Sequence, residues 1–203
     1  MTESEKAYYE KRAPEYDDWY LGAGRFAGRV RPGWEAELAD LRSVLRAFPA
    51  RSVLDVACGT GFLTRDLGGC VVALDHSPGM LEVARERLPA AAFVQGDAFR
   101  LPFPDGSFDY LLTGHFYGHL AAEDRQRFLA EARRVAAQTL IVDAALRDEV
   151  QSEEWQERVL NDGSRHTVYK RYFTPERLLA ELGGGRVLHA GRWFVAVLGM
   201  LKA

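Results

Sequence analysis

The sequence predicts an α/β fold on a mostly parallel sheet, and three observations predict it. Apolar runs of strand length alternate with segments of helical period from residue 52 to residue 145. These runs are apolar at nearly every position, as in strands covered on both faces. Near the C-terminus two further runs, "RVLHAG" and "RWFVAVLGML", are joined tightly enough to form a hairpin, so the sheet ends in an antiparallel strand and is mixed.

Taken in order, "SEKAYYEKRA" (4–13) predicts an amphipathic helix that stops before Pro14. In "PGWEAELADLRSVLRAF" (32–48), Trp34, Leu38, Leu41, Val44 or Leu45, and Phe48 recur at helical spacing. Strands are expected at 52–57, 70–75, 91–96, 108–114 and 139–145, and helices at 61–68, 78–88 and 123–137. The stretch 148–171 is polar with scattered aromatics and longer than an ordinary connection. "TPERLLAELGGG" predicts a helix capped by Thr174, with Pro175 at its first position.

The chain has 203 residues, 47% hydrophobic and 27% charged, the make-up of one ordinary globular domain. A formal net charge of -3 gives no electrostatic case for nucleic acid. Cys58 and Cys70 form neither a disulfide framework nor a zinc spacing, and no metal site is expected. The opening "MTESEKAYYEKRAPEYDDWY" is polar and acidic where a signal peptide is basic and then apolar. No apolar run reaches membrane-spanning length, so the expectation is a soluble, cytoplasmic protein.

The first strand runs into a turn of small residues, "VLDVACGTGFLT" (53–64). In an open α/β sheet, ligands sit beyond the carboxyl ends of the strands where the topology switches direction. Gly59 and Gly61 let backbone approach a ligand there. Asp75 ends the second strand and is placed to accept both hydrogen bonds from a ribose diol. Asp97 follows the third strand, where a carboxylate accepts from an exocyclic amine such as that of adenine. One acid at a strand end is often a helix cap; Asp55, Asp75 and Asp97 at successive strand ends point to an adenosine ligand. Thr64 stands where a dinucleotide fingerprint has its third glycine, and no phosphate-loop Gly-Lys-Ser/Thr ending occurs. Asp55 puts negative charge below the turn, which suits an ammonium or sulfonium better than a pyrophosphate.

With these motifs the sequence resembles the class I S-adenosylmethionine-dependent methyltransferases, in particular their small-molecule branch. The resemblance is close over 50–145 and looser at both ends. "VLDVACGTGFLT", "VVALDHSPGMLEVAR" and "FVQGDAFRLPFPDGSFDYLLTGHFYGHL" resemble successive family motifs, and "RYFTPERLLAEL" a late segment. Ala57 departs from the pattern, since the family often has glycine there. The resemblance implies a Rossmann-like three-layer sandwich whose seven-stranded sheet has the order 3-2-1-4-5-7-6, with the last strand antiparallel. It divides one domain, 1–203, into an N-terminal helical cap (1–50), a cofactor core (51–146), a substrate-side insertion (147–173) and a closing helix and hairpin (174–203).

The cofactor so implied is S-adenosyl-L-methionine, leaving as S-adenosyl-L-homocysteine. Asp55, Ala57, Gly59 and Gly61 would face its methionine and ribose side, and Asp75 with His76 its ribose. Asp97 and the Ala98 amide would read the adenine edge. Met80 either lies against the adenine or is a core methionine. The Thr113–Gly114–His115 backbone would touch the methionine end. Tyr16, then Tyr8 or Tyr9, would fold over the cofactor with Arg12 near its carboxylate; an aromatic face near a sulfonium contributes about 0.5–2 kcal/mol. The alternative for this segment is an amphipathic helix packed on the domain edge.

Methyl transfer from a sulfonium is an in-line displacement in which orientation contributes roughly 7–11 kcal/mol. A base is needed only if the acceptor must lose a proton. His115 and His119 are the candidates, placed on one face if the segment is helical; both are alternatively pocket or capping histidines. Tyr117 either lines the pocket or packs. Cys58 reads as a small residue backing the turn rather than a nucleophile. The 148–173 insertion carries Trp155, Arg158, His166, Tyr169, Arg171 and Tyr172 and is expected beside the acceptor, or else at an oligomer contact. The leading function is methyl transfer to oxygen, nitrogen or carbon of a small molecule. The alternatives are a non-methylating binder of the same cofactor and, less favoured, a NAD-dependent oxidoreductase, which lacks a Tyr-x-x-x-Lys pair here.

Overall fold

Alternate residues of the central strands feed two separate cores, and this sets the layering. The computed structural model describes residues 3–49 and 51–200. Its strands are β1 (Ser52–Val56), β2 (Cys70–Asp75), β3 (Ala92–Gln95), β4 (Phe108–Gly114), β5 (Ala136–Ala144), β6 (Glu153–Val159), β7 (Arg165–Arg171), β8 (Arg186–Ala190) and β9 (Phe194–Met200). The helices are α1 (Glu3–Arg12), α2 (Asp18–Leu21), α3 (Trp34–Arg46), α4 (Pro78–Arg87), α5 (Ala122–Val135) and α6 (Pro175–Leu182). Leu54, Leu111, Ile141 and Val197 face Phe128 and Leu129 of α5 and Leu178 and Leu182 of α6. Their neighbours Val53, Leu112, Leu140 and Ala196 face Leu38, Leu41 and Leu45 of α3. Burial on both faces is what the unbroken apolar runs encode, each leucine-sized side chain contributing about 1.5–3 kcal/mol.

The sheet has seven strands in the order β3-β2-β1-β4-β5-β9-β8. β9 pairs antiparallel with both β5 and β8, and the other pairings are parallel. Counting only the strands of this sheet, the order is 3-2-1-4-5-7-6 as expected. Thr174 accepts from the Arg177 N–H at 3.3 Å, so α6 begins at the predicted cap with Pro175 first. Leu201, the end of the second hairpin run, lies outside the described residues.

Two expectations are corrected. The helix expected over 61–68 is only a 3-10 turn, Thr64–Asp66. Phe62 is drawn down to stack on Tyr20 at 3.9 Å, while Asp66 is held by Arg42 at 2.6 Å and Arg46 at 2.8 Å from α3. With Gly68 and Gly69 directly behind, no length remains for a helix. The stretch 148–171, read as a long polar connection, contains the antiparallel hairpin β6–β7, a two-stranded sheet of its own.

The N-terminal region lies against the carboxyl edge of the sheet. Glu10 of α1 accepts the Ser77 hydroxyl at 2.5 Å and the Gly79 N–H at 3.2 Å. This fixes α1 to the start of α4, where Ser77 itself accepts from the Met80 N–H at 3.0 Å.

Candidate active site

β1 lies between β2 and β4, so the chain leaves its carboxyl end toward both sides, and three turns converge there. The turn after β1 places Ala57 at φ 57° and Gly59 at φ 55°. Asp75 closes β2 and is 4% exposed. Its Oδ2 accepts from the Gly59 N–H at 2.9 Å, its Oδ1 from the Ser77 N–H at 2.9 Å, and His76 Nδ1 stands 3.2 Å from Oδ1. Backbone donors thus orient this carboxylate, and Oδ2, with Gly59 as its one donor, keeps a lone pair.

Three connected spaces follow this edge. A cavity of ≈ 360 Å³ is walled by Ala57, Leu74, Asp75, His76, Asp97, Ala98, Phe99 and Phe116, with Lys6 from α1. Its apolar walls and two carboxylates suit a flat base with attached hydroxyls. A passage of ≈ 30 Å³ continues along Gly59, Met80, Gly114 and His115 beneath Tyr9 and Tyr16. Tyr9, Tyr16 and His115 also line a second chamber of ≈ 380 Å³. That chamber is lined by Trp19, Trp34 and Trp193, by Arg29, Val30 and Arg31, and by Arg158, Lys170 and Tyr172 of the hairpin side.

His115 follows β4 at φ 56°, with its N–H donated to the Val142 carbonyl at 2.8 Å. Trp19, Tyr20 and Phe194 surround its ring at 4.8, 5.7 and 5.7 Å. Burial pushes it down to about 4, against the pull of Asp143. His119 is also held well below its ordinary value by burial, with Lys170 adding to the effect. Its Nδ1 lies 2.7 Å from the Tyr169 carbonyl, which fixes that nitrogen as the donor. The segment forms a 3-10 turn, Tyr117–His119, rather than an α-helix, yet both histidines reach the second chamber. Tyr117 is fully buried and donates to Glu181 at 2.6 Å, which makes it a packing residue.

Behind the chamber Lys170 donates to Asp143 Oδ1 at 2.6 Å, and the Gly118 N–H donates to Oδ2 at 2.7 Å. Burial opposes the Asp143 charge, but Lys170 and His115 outweigh it and hold the carboxyl below its ordinary range. Asp55 accepts the Thr64 hydroxyl at 2.5 Å and is pushed up to about 7 by burial, with Asp75 adding to the rise. It sits beneath the turn, on a small space of ≈ 10 Å³ that shares Tyr16, Ala57 and Gly114 with the passage and its neighbours, and its raised value makes the negative charge expected there partial near neutrality.

The structure gathers most of the predicted residues and sets a few apart. Ala57, Gly59, Asp75, His76, Met80, Asp97 and Ala98 line the first cavity or the passage, and Arg12, Tyr16, His115 and His119 the second chamber. Tyr8 is a correction: one position from Tyr9 on α1, it turns into a cluster with Leu160 and Val168, where its hydroxyl accepts from Arg12 at 2.7 Å. Gly61 is another. A Cβ there would come within 2.7 Å of Leu88 Cδ1, so it permits packing against α4 rather than approach to a ligand. Thr113 is fully buried inside β4 and leaves Gly114 and His115 to face the passage. Within the insertion, Arg158 and Tyr172 reach the chamber, whereas Trp155 is 67% exposed. Cys58 is held well above its ordinary value by burial, which leaves it an inert thiol.

Sequence reasoning missed Phe99 and Phe116 in the first cavity and Arg29, Arg31, Arg147, Lys170 and Trp193 in the second. The chamber's walls come from four distant parts of the chain, and only the Arg29–Arg31 pair in a glycine-rich stretch gave a local signal.

Comparisons with known proteins follow the same geometry. Residues 53–139 match the family described as a methyltransferase domain. A demethylmenaquinone methyltransferase of Renibacterium salmoninarum is 38% identical over 132 residues, 64% of this chain and 52% of that protein. The chain spans between 52% and 59% of the length of the first curated relatives it matches. Among solved structures, the DhpI-SAM-HEP complex superposes with a TM-score of 0.76 at 27% identity, over 97% of this chain and 95% of that one. The DhpI-SAH complex gives 0.73 at 29% identity, over 97% and 94%.

Proposed function

We propose that this chain, a member of the class I S-adenosylmethionine-dependent methyltransferases, transfers a methyl group from S-adenosylmethionine to a small-molecule acceptor. The observation that carries the reading is that a base-sized cavity, a passage under Tyr16 and a second chamber share their walls in succession. A protein that only stored the cofactor would have no use for the second space.

The residues fit the cofactor on the structure's own terms. Asp75 is already oriented by the Gly59 and Ser77 amides and accepts the ribose hydroxyls. Asp97 Oδ1 takes the Phe99 N–H at 2.9 Å, which leaves Oδ2 for the adenine amine beside the Ala98 amide. The Tyr9 hydroxyl and His115 Nε2 are buried without hydrogen-bond partners, and both residues line the passage where the methionine end would lie. When bound, the cofactor supplies an electrophilic methyl group on a sulfonium. Tyr16 presents an aromatic face there, and Arg12, stacked 4.9 Å from the Tyr16 ring, provides charge for the carboxylate.

Burial holds His115 down to about 4 and His119 well below its ordinary range, which makes both weak general bases. His115 and His119 therefore serve as neutral hydrogen-bonding walls, and in-line orientation supplies the rate. We read the whole chain as one domain, since residues within 9–34 and 147–172 complete the chamber. Demethylmenaquinone, named for the curated relative, is an uncharged quinone, and the arginines without carboxylate partners in the chamber lining argue against carrying it over.

The test is transfer of labelled methyl from S-adenosylmethionine across a panel of small acceptors. Label appearing in one acceptor class, and lost in Tyr16→Ala at unchanged fold, supports the reading. Cofactor binding with no transfer to any class would leave the non-methylating alternative.

A further inference from the structure

We infer that the acceptor is a small oxyanion, a carboxylate or phosphoryl group, bound by the arginines of the second chamber. This rests on the methyltransferase reading and names its substrate class. Six cationic side chains line the chamber: Arg12, Arg29, Arg31, Arg147, Arg158 and Lys170. No aspartate or glutamate lines it among the described residues. Lys170 is neutralised by Asp143 at 2.6 Å and Arg147 faces Glu149 at 3.8 Å. The other four have no carboxylate partner among the described residues; with Arg12 given to the cofactor's carboxylate, Arg29, Arg31 and Arg158 remain for the acceptor. Arg12 donates to the Tyr8 hydroxyl at 2.7 Å, Arg31 to the Trp19 carbonyl at 2.7 Å, Arg29 lies over Phe26, and Arg158 reaches only the Gln156 side chain.

Like charges gathered around one space raise the energy of the empty fold, and an anion entering it relieves them all at once. A second, independent observation points the same way. Arg158 Nε is buried with no hydrogen-bond partner, on a residue that lines the chamber. A guanidinium presents donors as a fork that matches a carboxylate or phosphoryl edge. The cofactor would add further positive charge on its sulfonium, which disfavours an ammonium acceptor and favours an anion. These cations line a partly open space of ≈ 380 Å³, the size of a small ligand.

The chemistry is consistent with weak bases. An anionic oxygen attacks the methyl carbon, the O–CH3 bond forms and the S–CH3 bond breaks with its electron pair kept by sulfur. The acceptor loses one negative charge, the sulfonium its positive charge, and no proton has to move. Neutral His115 and His119 then suffice.

The test is calorimetric titration of the full chain, saturated with S-adenosylhomocysteine, with phenylphosphonate, benzoate and the uncharged benzamide. One or both anions should bind and benzamide should not. Phenylphosphonate ahead of benzoate identifies a phosphoryl acceptor, and the reverse a carboxylate. Arg158→Gln should weaken the anion by about tenfold or more, Arg158→Lys by less, with affinity for S-adenosylhomocysteine unchanged in both. Equal binding of benzoate and benzamide, no binding of either anion, or an unaltered Arg158→Gln overturns the inference. Failure to bind S-adenosylhomocysteine in the first place would instead overturn the methyltransferase reading.

Discussion

The Thr60 hydroxyl donates a 2.5 Å hydrogen bond to Asp17, joining the glycine turn to the N-terminal segment. Arg87 completes the junction, pairing with Asp17 and donating to the Thr60 carbonyl at 2.7 Å. Tyr16, next to Asp17, is thereby held over Gly59, where a Cβ would lie 3.6 Å from its ring.

Removing this junction should loosen the cover without touching the sheet. A hydrogen bond to a charged group contributes about 1.5–3 kcal/mol. Asp17→Ala is therefore expected to weaken S-adenosylhomocysteine binding roughly tenfold or more, while the far-ultraviolet circular dichroism spectrum stays unchanged. Titration of both proteins checks it, and equal affinities would show that the segment does not cover the cofactor.

Ala57 occupies φ 57°, a left-handed conformation that suits glycine better. The steric cost to an L-residue is about 1–2 kcal/mol, partly offset by the greater freedom of an unfolded glycine. Ala57→Gly should raise stability by about 0.5–1 kcal/mol in urea denaturation. A loss of stability would mean the methyl group packs more than it strains.

Lys170 and Asp143 are both buried, and the pair positions the Gly118 turn between the histidines. Lys170→Met leaves the Asp143 charge without its partner and should cost about 3–5 kcal/mol. The double variant Lys170→Met with Asp143→Asn should recover part of that loss. Denaturation of the three proteins measures the coupling, and additive losses would contradict it.

Two buried groups oppose each other in acid. His115, lowered from 6.5 to about 4, stays neutral in the fold while it charges in the unfolded chain, so its contribution falls as pH drops through that window. Asp55, raised from 3.8 to about 7, does the reverse and favours the fold at low pH. Asp55→Asn should therefore make stability rise more steeply with pH between 4 and 6.5, and His115→Asn should flatten or invert the slope. Asparagine also tolerates the φ of 56° at position 115. Denaturation across this range checks both slopes; variants that follow the parent curve would refute the assignment.

The sheet was legible because strands buried on both faces have to be apolar at nearly every position, as Val71–Leu74 and Leu140–Val142 are. The first cavity and passage were legible because Asp75 and Gly59 lie at strand ends, where chain order fixes position. Elsewhere tertiary context decided. Phe62 and Leu63 look helical in sequence but sink into the core around Tyr20. The β6–β7 hairpin was hidden by its charges, although Asp162–Gly163 between alternating runs is the usual short hairpin signal. The second chamber was the least legible. Arg31, Arg158 and Trp193 meet only after folding, and no local pattern announces that they will.

The central claim is that this chain binds S-adenosylmethionine at the carboxyl edge of β1 and β2. Calorimetric titration of the folded full chain with S-adenosylhomocysteine, with NAD as the control, tests it most directly. The account predicts one site of micromolar affinity, about -8 kcal/mol, for S-adenosylhomocysteine and no heat with NAD. Absence of S-adenosylhomocysteine binding, or tighter binding of NAD, would contradict it.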